Sequence, residues 1–221
     1  MGNPLMMIEI KKPKLLLVEG QDEISFIGAL LRATDISDIQ LWDAKGKTKM
    51  HQALGAVRFA PGFESVTSIG VMRDADENAK GAFDSVKASF EAHGYPVPQR
   101  VGDRATKGGL AASIFILPGD DAPGMLETLV WRSFEDRQIA QEVSGFINRC
   151  ADLLPAEQDG EQRPTGPAGW RKPRSPDKAR MQAFLATMID ALPRMGMAAE
   201  KGYFDLTHGS FAALCNYISS L

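Results

Sequence analysis

Lys14-Leu15-Leu16-Leu17-Val18-Glu19-Gly20 is the stretch on which the fold turns. A short, unbroken apolar run with no polar alternation suits a β-strand covered on both faces. It stops at a glutamate and a glycine. Asp22 follows where a helix N-cap belongs, ahead of Ile24, Ile27, Leu30 and Leu31 at helical spacing. A buried strand that passes straight into an amphipathic helix is the opening half of a βαβ unit.

The same alternation continues outward. Ile39-Gln40-Leu41-Trp42 predicts a second strand, closed by Asp43-Ala44-Lys45-Gly46, and Met50, Leu54 and Val57 predict a second helix. Val66 to Met72 is rich in β-branched residues and predicts a third strand, with Asp74 and Asp76 just past its end. A helix through Phe83, Val86 and Phe90 follows and ends near His93-Gly94. Tyr95 to Gly109 reads as a turn-rich connection. Ser113 to Leu117 is another apolar run, stopped by Pro118-Gly119, with Asp120 or Asp121 as the cap of the next helix and Pro123 in its first turn. Strands and helices in this order predict an α/β fold, a mostly parallel central sheet with helices on both faces.

Beyond residue 153 the character changes. Pro155 to Pro176 holds five prolines, three glycines and several charges, and predicts a flexible segment with no packed element. Asp177 then opens a helix carrying Ala179, Met181, Phe184, Leu185, Met188 and Leu192. A last helix from about Ser210 places Phe211, Leu214, Cys215, Ile218 and Leu221 on one face. Met195 and Met197 between them read as core gap-fillers. The expected organisation is an α/β domain over 1–153, a flexible Pro/Gly-rich segment over 154–176, and a helical extension over 177–221 packed on the α/β domain.

Composition sets bounds on function. With 221 residues and 44% hydrophobic content the chain can build a sizeable core, and a formal net charge of -3 provides no global field toward nucleic acid or an anionic membrane. A phosphate-bearing partner must therefore be held by local cations or a metal. Cys150 and Cys215 lack metal-ligand spacing and read as reduced thiols, and His51, His93 and His208 read as surface or capping residues. No apolar stretch approaches the ~20 residues of a membrane helix, and no secretory pattern opens the chain. Met6 and Met7 offer alternative translation starts. The expectation is a cytoplasmic protein with no membrane partner.

In an open parallel sheet, ligand sites form beyond the carboxyl ends of the strands. Glu19 leaves the first strand at that edge, and Asp74 and Asp76 leave the third. In extended geometry two aspartates two residues apart point the same way. If the two strands are neighbours, three carboxylates meet in one small volume, where their repulsion calls for a cation or a proton. Hard oxygen donors without Cys or His favour Mg²⁺ or Mn²⁺ over Zn²⁺. Such an ion would polarise a phosphorus centre and position a nucleophile. Glu19 is then a ligand or the proton-transfer group.

Val18-Glu19-Gly20-Gln21-Asp22 followed by Met72-Arg73-Asp74-Ala75-Asp76 resembles the Toprim signature, a lone glutamate and then an Asp-x-Asp pair. That domain is shared by type IA and type II topoisomerases, bacterial primases, recombination mediators and the overcoming-lysogenisation-defect nucleases. The resemblance implies a Toprim-like sheet, acid/base work for Glu19 and Mg²⁺ binding by Asp74 and Asp76. The chain is also similar to a small stand-alone Toprim-like bacterial family, through Ile116-Leu117-Pro118-Gly119, Leu126-Glu127 and Gly202-Tyr203-Phe204-Asp205. Arg73 departs from the apolar residue expected before the pair, and neutralises the acids, contacts a phosphate or points to solvent. The nucleases place further acids after the pair, and Glu127 is the candidate here for a second ion. Its place at a helix start would equally be explained by the helix dipole.

Other features carry less. Gly46-Lys47-Thr48 lacks the glycine a triphosphate loop needs at position 41, which is Leu41, although Lys45 and Lys47 remain placed to meet a phosphate. Glu23 reads as a first-turn acid and Asp43 as a turn residue. Arg171, Lys172, Arg174, Lys178 and Arg180 beside Trp170 read first as a solvated basic segment, and second as a nucleic-acid contact. A haloacid-dehalogenase phosphatase would need Asp-x-Asp after the first strand, where Glu19 stands. A receiver domain would need a switch hydroxyl ending a later strand, and Ser113 begins one. Two functions remain: a Mg-dependent phosphodiester-cleaving protein acting on nucleic acid, or a non-catalytic module binding metal and nucleic acid or a protein partner.

Overall fold

The Leu15–Val18 run lies at the centre of the molecule with none of its side chains reaching solvent. The computed structural model describes residues 9–157, 160 and 165–221. The alternative start at Met6 or Met7, and positions 158–159 and 161–164 of the Pro155–Pro176 segment, lie outside the described residues. Five strands, β1 (Lys14–Val18), β2 (Ile39–Asp43), β3 (Ser68–Asp74), β4 (Arg104–Lys107) and β5 (Leu110–Leu117), form one sheet in the order β2-β1-β3-β5-β4. All pair in parallel except β4 with β5. The chain is α/β, as its patterning predicts.

Successive side chains of a strand face opposite ways, so β1 feeds two cores at once. Leu16 and Val18 enter one cluster with Phe26, Leu30, Leu126 and Phe211, while Leu15 and Leu17 enter another with Leu54, Val86 and Phe90. Helix α1 (Gln21–Ala33) covers the first face, and α2 (Met50–Val57) and α3 (Ala79–Ala92) cover the second. The first face also receives α4 (Leu126–Trp131), α5 (Gln138–Asp152), α6 (Pro176–Ala186), α7 (Met195–Glu200) and α8 (Ala212–Ser220). Helix α8 sits tightly on β3: a Cβ on Gly70 would meet the Tyr217 hydroxyl at 2.6 Å.

Four expectations are corrected. The turn-rich stretch contains edge strand β4, joined to β5 by Gly108-Gly109 with φ of +59° and +84°. Two residues at positive φ are the requirement of a type I′ hairpin, and a Gly-Gly pair is its sequence signal. Helix α5 is absent from the expectations above although Ala140, Val143 and Ile147 recur at helical spacing, and of its residues Ala140 and Val143 are buried. Part of the Pro155–Pro176 segment is tied down, since Lys172 N donates to the Pro155 carbonyl at 3.0 Å and Arg174 pairs with Glu157. A single 3₁₀ turn also forms over Gly166–Gly169.

The fourth correction concerns caps. Asp22 is the second residue of α1 and makes no cap bond there; its Oδ1 accepts the Gly196 N–H at the start of α7 at 2.7 Å. Asp120 and Asp121 cap nothing: Asp120 pairs with Arg132 at 2.8 Å, and Asp121 has φ +58° in the loop before α4.

Candidate functional site

Strands β1 and β3 are direct neighbours in register, Leu17 opposite Val71, so their carboxyl ends deliver Glu19 and Asp74 side by side. The Asp74 N–H donates to Glu19 Oε1 at 3.3 Å, and Arg73 Nε lies 3.7 Å from the same oxygen. Asp74 itself is 5% exposed, and its Oδ1 accepts the Leu126 N–H at 3.0 Å. This carboxylate, rather than Asp120 or Asp121, holds the first residue of α4. Glu127 follows immediately, its side chain 13% exposed, with Lys178 Nζ of α6 at 3.9 Å.

Electrostatics ties these groups together. Burial raises the Asp74 pKa well above the ordinary carboxylate value, and the neighbouring Glu19, Glu23 and Glu127 raise it further. Burial likewise pushes up Glu19, with Arg73 opposing, and pushes up Glu127 and Glu23, with Lys178 opposing in both. Burial disfavours the charge on Lys178, but the combined field of Glu127, Asp74, Glu23 and Asp76 outweighs it and raises its pKa. Buried Asp74 and half-buried Glu23 and Glu127 thus share one ammonium group while Glu19 leans on Arg73, an arrangement in which protonation or a cation relieves repulsion.

Asp76 does not join them as an extended Asp-x-Asp pair would require. The chain leaves the strand after Asp74, and Asp76 adopts φ +50°. Its backbone exchanges two hydrogen bonds with Gly124, at 2.9 and 2.7 Å, and its carboxylate takes Lys47 Nζ at 2.5 Å. The turn splits the pair, one aspartate facing the buried acids and the other facing a cleft of about 810 Å³. Lys47, Arg73, Asp76, Arg174, Asp177 and Lys178 are among its lining residues. The α3 N-terminus opens on it, with Asn78 Oδ1 accepting the Gly81 N–H at 2.8 Å, and so does the α6 N-terminus, capped by Ser175.

The donor set is hard oxygen alone, which suits Mg²⁺ or Mn²⁺. Among the described residues, no three His, Cys, Asp or Glu side chains stand as a group that could hold an ion. Lys47 holds Asp76, Arg73 and a backbone N–H occupy Glu19, and Leu126 N–H occupies Asp74.

Of the four acids singled out in the sequence, the fold brings Glu19 and Glu127 to Asp74 and turns Asp76 to the cleft; Glu23 and Lys178, not singled out as site residues, belong to the same electrostatic group. Glu23 lies in the first turn of α1, which starts two residues after Glu19. Lys178 has no local signal; only the path of the chain between α4 and α6 brings it to Glu127. Of the basic segment, Arg174, Lys178 and Arg180 are engaged with Glu157, Glu127 and Asp177. Trp170 is 62% exposed. Lys45 pairs with Asp43 at 2.7 Å, and Asp43 Oδ1 also accepts the Lys45 N–H, the turn role expected of it. Among the described residues, no helix is long and apolar enough to cross a membrane.

No curated protein matches the chain. Two structures of the C-terminal region of the Xanthomonas campestris pv. campestris OLD protein, one phased with mercury and one with platinum, are similar to it at 12% identity. Their TM-scores are 0.36 and 0.35, over 93% and 95% of this chain and 98% of each of those chains. A family described as "Protein of unknown function (DUF3226)" matches residues 13–221, and the chain belongs to that family.

Proposed function

We propose that this protein is a Toprim-type, divalent-metal-dependent phosphodiesterase acting on nucleic acid, with its centre at the carboxyl ends of β1 and β3. The observation that carries the reading is Asp74, a buried carboxylate among three half-buried acids and beside a cation-lined cleft. Asp74 and Asp76, with Glu19 and Glu127, would hold Mg²⁺ or Mn²⁺. A bound ion would supply Lewis-acid polarisation of a phosphate oxygen and a nearby activated water. Lys47 and Lys178 pair with Asp76 and Glu127, and both would have to release those carboxylates for an ion to be held there. Glu19, whose burial raises its pKa above the ordinary carboxylate value, would move the proton. Arg73, beside Glu19, meets the phosphate.

The test incubates purified protein with supercoiled plasmid and with single-stranded DNA or RNA in Mg²⁺ or Mn²⁺, beside Glu19→Gln and Asp74→Asn. Cleavage by the wild type alone supports the reading. Equal traces in all three preparations would sink it.

A second reading is a non-catalytic Toprim module that binds nucleic acid. The cations already seated on Asp76 and Glu127 favour it. Binding of nucleic acid without cleavage at any divalent-ion concentration would select it.

A further inference from the structure

A second pocket, of about 270 Å³, adjoins the cleft and shares Lys47 and Arg73 with it. Its remaining lining is Thr48, Met50, His51, Ser85, Val86 and Ser89. No carboxylate lines it, whereas the cleft carries Asp76, Glu77 and Asp177. Two cations, an imidazole and three hydroxyls form a donor-rich lining for an anion, and the carboxylates that pair with the cations, Asp76 on Lys47 and Glu19 on Arg73, lie outside that lining.

Arg73 stands at the boundary of the two cavities with its side chain 15% exposed. Its Nε faces Glu19 Oε1 at 3.7 Å without a hydrogen bond, and its Nη1 reaches the Ala82 carbonyl only at 3.5 Å. The guanidinium is thus ion-paired on its Nε side and weakly bonded at Nη1, where an oxygen brought by a ligand would complete it. The planar fork matches the oxygens of a phosphate.

We propose that this pocket is a phosphate subsite that takes the terminal phosphomonoester of a nucleic-acid strand lying in the adjoining cleft. Two facts favour an end over an internal linkage. The pocket has a third of the cleft's volume, room for an end group rather than a continuing chain. A monoester also carries about −1.5 to −2 charges at neutral pH, more than the single charge of a diester, and gains more from Lys47 and Arg73. The strand in the cleft rests on the nucleic-acid reading above, but the phosphate contact needs no metal.

The experiment is fluorescence anisotropy of the full chain in EDTA with one single-stranded sequence in 5′-phosphorylated, 3′-phosphorylated and unphosphorylated forms. Inorganic phosphate and a nucleoside monophosphate serve as competitors. One of the phosphorylated strands is expected to bind about tenfold more tightly, the return of one charge-assisted hydrogen-bonded contact. Ser85→Asp lies on the exposed side of α3, outside the proposed metal ligands, and puts a carboxylate into the pocket. It should remove the preference and leave the affinity of the unphosphorylated strand unchanged. Equal affinities for all three strands in the wild type would overturn the proposal, as would a preference that survives in Ser85→Asp or no strand binding at all. Protection by inorganic phosphate with no discrimination among strands makes the pocket a free-phosphate site and rejects the strand-end assignment. Since every arm runs without metal, these outcomes are independent of the Mg²⁺-dependent cleavage assay.

Discussion

Asp74 Oδ1 accepts the backbone N–H of Leu126 at 3.0 Å, so the carboxylate that ends β3 also begins α4. One atom pair links the predicted metal residue to the element that carries Glu127. Asp74→Asn keeps an acceptor in that place, and Asp74→Ala leaves a buried N–H unpaired. The asparagine variant should therefore be more stable than the alanine variant by about 1–2 kcal/mol in urea unfolding with EDTA. Equal midpoints for the two would mean that the contact contributes nothing.

The same residue predicts a pH dependence. Asp74 has a folded-state pKa raised above its unfolded value, so between those values the native state binds more protons than the unfolded chain. Stability contributed by this group is then present at low pH and lost as pH rises from about 4, the ordinary aspartate value, through the raised one. Glu19, Glu23 and Glu127 act in the same direction. Without divalent ions, Asp74→Asn should gain on the wild type as pH goes from 4.5 to 7.5. A constant gap across that range in urea midpoints would show that Asp74 is not perturbed.

How far the sequence alone reached can be argued from particular residues. The apolar run ending at Glu19 and the β-branched run ahead of Asp74 placed both acids at one sheet edge, because a strand buried on both faces leaves a short unbroken apolar run bounded by turn residues. Asp76 was expected beside Asp74, and what separates them is a turn to φ +50° closed by Gly124, a partner 48 residues on. Tertiary partners of that kind leave no local trace. Asp22 shows the same limit: it has the residue type and position of an N-cap and serves a helix 174 residues away. Lys178 sat in a basic cluster that looks solvated, and its role emerges only when α6 docks on α4.

Lys178 supports a third prediction. It is the ammonium that Glu127, Glu23 and Asp74 share, so Lys178→Met removes the compensation and leaves the acids more repulsive. Metal-free stability should fall by about 1–3 kcal/mol, the range for stripping a charged partner from a buried group. Affinity for Mn²⁺ should rise, because the ion no longer competes with a fixed cation. Where an ion reaches a hundred times its dissociation constant it stabilises the native state by about 2.7 kcal/mol, so the two effects are separable in thermal melts with and without Mn²⁺. Asp74→Asn should show a flat Mn²⁺ response. A variant whose Mn²⁺ affinity drops would instead place Lys178 among the groups that help binding.

Gly196 supports the last. A Cβ there would meet the Asp22 backbone oxygen at 2.5 Å and Ser25 Cβ at 2.7 Å, and neither can swing away as a long side chain would. Helix α7 therefore lies directly on the first turn of α1, the turn that holds Asp22 and Glu23 three and four residues after Glu19. Gly196→Ala should cost about 1–3 kcal/mol as an overpacked contact, while Gly209→Ala, with nothing within 4 Å, should stay within about 0.5 kcal/mol of the wild type. Because the strain falls on α1, Gly196→Ala should also weaken Mn²⁺-dependent stabilisation, which Gly209→Ala leaves intact. Urea midpoints and Mn²⁺ titrations on both variants decide it: a destabilised Gly196→Ala protein with an unaltered Mn²⁺ response would detach α7 from the acidic site.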